Sequence, residues 1–194
     1  MIIFEDGIQV TQAEYKCLLH MVDNPDQWMR DTLAEKIRLR YDALVREWQP
    51  KFEADPSVDN IPIGTEDELV EFIAARPEFQ TRLEFDASLP EPEPLHKNAT
   101  ALYNAKVRTD TVTLIPSGIT LSTTAVTCLL AYLQDIQDWV LAGLIGQIER
   151  GKKKMVKQYR PLLIADPAVT TMPASEDGLI NMIVARSDYQ RLGG

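Results

Sequence analysis

Slid against itself, the sequence falls into register at an offset of 111 residues. Gly7, Ile8, Cys17, Leu18, Leu19, Trp28, Leu33, Ile37, Val45 and Pro50 recur as Gly118, Ile119, Cys128, Leu129, Leu130, Trp139, Leu144, Ile148, Val156 and Pro161. The run Ala54-Asp55-Pro56, with Val58 and Pro62, recurs as Ala165-Asp166-Pro167, Val169 and Pro173. A one-residue deletion then shifts the offset to 110 for Glu66, Asp67, Leu69, Ile73, Ala75, Arg76 and Gln80. Many of these residues are Gly, Pro, Trp or Cys, which seldom match by chance. A fixed internal period constrains the fold more than any average over the chain, because whatever one half builds the other must build as well. The expected organisation is a tandem duplication: repeat 1 over residues 1–82, a Pro-rich linker over 83–111, and repeat 2 over 112–194.

Each repeat reads as a β-hairpin followed by three helices, a fold class of α+β, mostly α. Ile2-Ile3 and Ile8-Gln9-Val10 flank Asp6-Gly7, a strong local hairpin signal, and Leu114 to Leu121 repeats the pattern around Gly118. Thr11 and Ser122 stand as N-caps before apolar residues at helical spacing, Tyr15, Leu18, Leu19, Val22 and Val126, Leu129, Leu130, Leu133. A longer helix is expected over about 25–52 and again over 136–163, with Pro50 and Pro161 placed to kink or end it. Asp55 and Asp166 precede prolines, where a carboxylate accepts hydrogen bonds from turn amides. Thr65 to Glu68 has the spacing of a capping box at the start of the last helix. Arg76 and Arg186 close that helix as structural partners of its C-terminal end. The linker's Leu89-Pro90-Glu91-Pro92-Glu93-Pro94 favours extended backbone and acts as a spacer.

Composition narrows the function classes. The formal net charge of −9 opposes general binding to nucleic acid or anionic lipid. The start of the chain lacks the basic and apolar segments of a secretory signal, and the apolar stretch 126–148 is interrupted by Asp135 and Asp138, so no membrane partner is expected. Two cysteines far apart read as buried thiols. No nucleophile with its base, phosphate loop, metal-ligand spacing or dinucleotide fingerprint is present, so the chain is read as no enzyme, with no cofactor, no metal and no catalytic residue. The rival is a divalent-metal protein or enzyme built on Asp55, Glu66 and Asp67 and their duplicates Asp166, Glu176 and Asp177. A further alternative is a cytoplasmic bacterial adaptor protein.

The two copies differ in charge. Residues 1–82 carry a net −8, residues 83–111 a net −2 and residues 112–194 a net +1. The basic excess lies in 150–160 of the second long helix, including Lys152, Lys153, Lys154 and Lys157. This run is read as a solvated face, as a dock for an acidic first repeat, or as the one place where nucleic acid could bind. The same helix has Leu141-Ala142 and Ile145-Gly146 where the first has Arg30-Asp31 and Ala34-Glu35, which marks Leu141 and Ile145 as interface candidates, between repeats or between subunits. A self-associating interaction protein is therefore the expected class.

The segment Phe4 to Tyr15, followed by Arg30-Asp31-Thr32-Leu33-Ala34, resembles short stretches of tailed-bacteriophage tail and tail-assembly proteins. The resemblance implies a virion component of the tail, neck or adaptor kind, assembled in the bacterial cytoplasm with other virion or assembly proteins. It transfers no catalytic residue.

Overall fold

Two-residue strands cannot hold a hairpin by themselves, and this constraint decides how the halves meet. In the computed structural model, which describes residues 1–58, 60–62, 64–90 and 98–192, the first half contains β1 (Ile2–Ile3), β2 (Ile8–Thr11), α1 (Gln12–Met21), α2 (Pro25–Ala54) and α3 (Glu66–Ala74). Two short helices follow, α4 (Arg82–Ser88) and α5 (Asn98–Ala105). The second half contains β3 (Thr111–Leu114), β4 (Ile119–Thr120), α6 (Thr123–Leu130), α7 (Ile136–Ala165) and α8 (Glu176–Val184). The fold is thus α+β and mostly α. Most of the linker's alternating prolines lie outside the described residues, and α4 and α5 occupy its two ends.

The expected hairpins do not form. β1 pairs antiparallel with β4, Ile2 opposite Thr120 and Ile3 opposite Ile119, while β2 pairs antiparallel with β3, from Ile8 opposite Leu114 to Thr11 opposite Thr111. A two-residue Asp-Gly loop of the usual hairpin type needs positive φ at both residues. Here Gly7 has φ +73° but the other positive angle falls on Phe4, and the Gly7 amide donates to the Phe4 carbonyl at 2.8 Å. Ile115 and Gly118 repeat that turn at φ +41° and +66°, with the Gly118 amide on the Ile115 carbonyl at 2.7 Å. Each half therefore presents a bent arm, and the two arms hook together. A Cβ on Gly118 would lie 2.7 Å from the Ile3 carbonyl oxygen, and one on Gly7 would lie 2.7 Å from that of Leu114. Glycine is required on both sides for close approach as well as for φ.

The helices exchange in the same sense. α1 packs on α7 and α8, whereas α6 packs on α2 and α3. One apolar cluster gathers the strands, Cys17 and Leu18 of α1, much of α7, and Ile180 and Ile183 of α8. The other gathers Leu44, Trp48 and Phe52 of α2, Val70 and Ile73 of α3, and Cys128 of α6. Each half's first helix thus completes the other half's core. Burying it there stabilises by roughly 1.5–3 kcal/mol for each large apolar side chain.

Local signals hold well at helix starts. Thr11 and Thr65 form capping boxes with Glu14 and Glu68, and Asn24, Ser122, Asp135 and Ser175 cap with their side chains. The prolines depart from expectation, since α2 and α7 run on past Pro50 and Pro161 to Ala54 and Ala165. Near a C-terminus the missing N–H removes one bond from the last turns, and the buried Phe52 and Leu163 that follow keep those turns docked.

Candidate functional site

The polar residues shared by the halves are taken up by folding. Asp55 accepts from the Ser57 amide at 2.9 Å and from the Ser57 hydroxyl, and pairs with Arg76 at 2.9 Å. The hydrogen bonds from Ser57, helped by the guanidinium, hold its carboxyl below the usual range. Asp166 accepts from the Ala168 amide at 3.0 Å and pairs with Arg186 at 3.2 Å. Each pair ties the end of a long helix to the end of the last helix. Asp67 accepts from the Thr124 hydroxyl across the halves, and Glu176 pairs with Lys152 at 2.7 Å. The acidic residues of the metal rival are therefore dispersed, and among the described residues no group of three His, Cys, Asp or Glu is placed to hold a metal ion.

Burial pushes the Cys17 thiol up to about 12 and the Cys128 thiol up to about 11, so both remain protonated. His20 is buried in α1 against Tyr189, whose hydroxyl lies 3.3 Å from Nδ1. Burial first, and Lys154 second, hold its imidazole pKa below the ordinary value.

Of the interface candidates, Leu141 is 3% exposed and belongs to the chain's own core, and Ile145 packs against that core. α5 lies along α7, tied to it where the Thr100 amide donates to Asp138 at 2.9 Å, on the face that carries positions 138, 141 and 145. On α2 the residues matching Leu141 and Ile145 are Arg30, half-buried and donating to the Gly118 carbonyl at 3.1 Å, and Ala34, which stays in solvent. The apolar substitutions in α7 thus answer to a helix contributed by the connecting segment, a contact within the chain. Sequence periodicity could not find it, because no second α5 exists for comparison.

The basic run divides. Lys152 is drawn into the fold by Glu149 at 3.0 Å and Glu176. Partial burial works against its charge, yet these hydrogen bonds outweigh the burial and hold its pKa above the ordinary value. Lys153, Lys154 and Lys157 are exposed. Positions 150, 153, 157, 160 and 164 alternate steps of three and four, so Arg150, Lys153, Lys157 and Arg160 form one solvent stripe that ends in Ile164, 69% exposed.

In the first half the matching place is concave. α7 and α8 pack closely, but α2 and α3 meet only sparsely. Between them opens a cleft of about 710 Å³ lined by Val45, Phe52, Val58, Ile61 and Leu69, with Gln49, Glu53 and Asp55 at its rim. Glu53 occupies the position that Ile164 holds in the second half, and Gln49 that of Arg160. No sequence signal marked this cleft. It depends on the spacing between two consecutive helices and the loop that joins them, which the pattern within either helix does not specify.

Compared with protein-family models, curated proteins and solved structures, the chain finds no match. Among the described residues no helix is long and apolar enough to cross a membrane.

Proposed function

We propose that this chain is a non-enzymatic structural and interaction protein, a bacteriophage virion component of the tail, neck or adaptor kind, made in the bacterial cytoplasm and built into a multi-protein assembly. The observation that carries the reading is the fate of the shared polar residues. Asp55, Arg76, Asp166 and Arg186 all serve turns and helix ends, while what distinguishes the halves lies on the outside: an acidic apolar cleft on one and a basic stripe on the other. Surfaces of complementary charge suit association and its selectivity. The virion assignment draws on the resemblance of residues 4–15 and 30–34 to phage tail proteins.

Peptide mass spectrometry on gradient-purified particles tests it. The chain is expected at a fixed stoichiometry in particles, and deletion of its gene is expected to leave incomplete ones. Normal particles that never contain the chain would overturn the reading.

A further inference from the structure

We infer that copies of this chain associate head to tail, with the exposed end of α7, carrying Lys157, Arg160 and Ile164, seated in the acidic-rimmed apolar cleft between α2 and α3 of the next copy. The inference rests on the assembly reading above and names the partner of its two exposed surfaces.

Three observations converge on it. First, the two surfaces are complementary in chemistry. The cleft offers apolar walls from Val45, Ile61 and Leu69, with the exposed Glu53 among the residues that line it. The end of α7 offers Ile164, 69% exposed, and the cations Lys157 and Arg160 precede it on the same stripe.

Second, the charge balance favours a protein partner over a polyanion for this stripe. The first half carries net −8 and the second +1, so opposite halves attract while like halves do not. A nucleic-acid surface would gain nothing from ending in Ile164.

Third, the contact cannot be satisfied within one chain. The stripe faces solvent on α7, and the cleft belongs to α2 and α3, which pack on α6. Because the two surfaces are different patches, the contact is heterologous. Repeated, it closes into a ring or continues as a filament, according to the rotation between successive copies.

Sedimentation velocity and native mass spectrometry of the full chain test this. The wild type is expected to gain mass with concentration and to lose it as salt rises, since exposed ion pairs are screened. Ile164→Asp and Glu53→Lys, both at exposed positions, should each weaken association at least about tenfold without changing the circular dichroism spectrum. Adding Arg160→Glu to Glu53→Lys restores the opposite charges and should recover much of the association. The sharpest result comes from mixing. Ile164→Asp keeps its cleft and Glu53→Lys keeps its α7 end, so together they should form heterodimers and nothing larger.

A wild type that stays monomeric at every concentration would overturn the inference, as would a monomer that shifts a short DNA duplex through the lysine stripe. An oligomer indifferent to both variants would also overturn it, while leaving the assembly reading intact. Conversely, absence of the chain from particles would sink that reading even if the head-to-tail contact were real.

Discussion

α2 and α7 have the same length and bounds 111 residues apart, yet they lead different lives. α7 is covered on several sides, by α1, α5 and α8, and buries residues from Ile136 to Leu163. α2 buries mainly Met29, Leu33, Leu44, Trp48 and Phe52, and leaves Asp31, Ala34 and Glu35 in water. The difference shows that a shared helix is a scaffold whose faces are specialised one at a time, by whichever neighbour arrives. α5 packs along α7, and the cleft opens beside α2.

The closest point of this asymmetry is Gly151. A Cβ there would lie on the backbone of Cys17 in α1, whereas the matching residue of α2 is Arg40, whose guanidinium stacks over Tyr132 at 4.7 Å. Gly151→Ala should therefore destabilise by about 2–3 kcal/mol despite alanine's better helix propensity, because the obstacle is backbone and cannot rotate away. Thermal unfolding would register this as a fall of roughly 5–10 °C, and an unchanged midpoint would refute the close crossing of α1 and α7.

A smaller effect belongs to Glu14, whose counterpart is Ala125. Burial works to raise its pKa, but hydrogen bonds from Lys106 at 2.6 Å and from the Thr11 amide, with Arg108 nearby, more than offset it and hold it below the ordinary value. A carboxyl depressed in the fold contributes stability above its unfolded pKa of about 4.3 and loses it as pH falls through the folded value. Glu14→Gln should cost about 1 kcal/mol at neutral pH and remove part of the acid sensitivity below about pH 4. Urea titrations at pH 7 and pH 3 check both.

His20, with Ala131 as its counterpart, acts at milder pH. Its pKa is lowered in the fold, so the unfolded chain binds its proton more readily and stability falls as pH drops below about 6.5. His20→Phe should flatten the dependence of the urea midpoint between pH 7 and 5; the same slope in the variant would assign it elsewhere.

The smallest effects come from Gly143 and Gly146 on the exposed side of α7, where an added Cβ meets nothing within 4 Å. Gly143→Ala and Gly146→Ala should each stabilise by about 0.5–1 kcal/mol, opposite in sign to Gly151→Ala on the same helix. A loss at either site would mean that α7's outer face is covered.

Much of this architecture was legible in residues that act locally. Thr11, Thr65 and Ser122 were readable as caps, Asp55 and Asp166 as turn acceptors, and the long helices from their apolar spacing, because each of these forces acts within a few residues. The Asp6-Gly7 signal misled for the same reason. It describes what a turn can do in isolation, and the opposing arm offered longer ladders than a two-residue strand could form with its own neighbour. Leu141 and Ile145 were singled out as interface candidates, between repeats or between subunits; Leu141 is buried in the chain's own core, Ile145 is half-buried against it, and α5 of the connecting segment packs along that helix.

By itself, then, the sequence determined the kind and the capped starts of the helices shared by the halves, the glycines of the two bent turns, and the division of charge into −8 and +1. Only the tertiary structure decided that the arms hook across the halves, that α1 and α6 are exchanged, and that a cleft stands beside α2 where the matching stripe of α7 ends in Ile164. The reason is physical: caps, turns and periodicity are written in neighbouring residues, whereas pairing and cavity shape depend on which distant surfaces bury the most apolar area together.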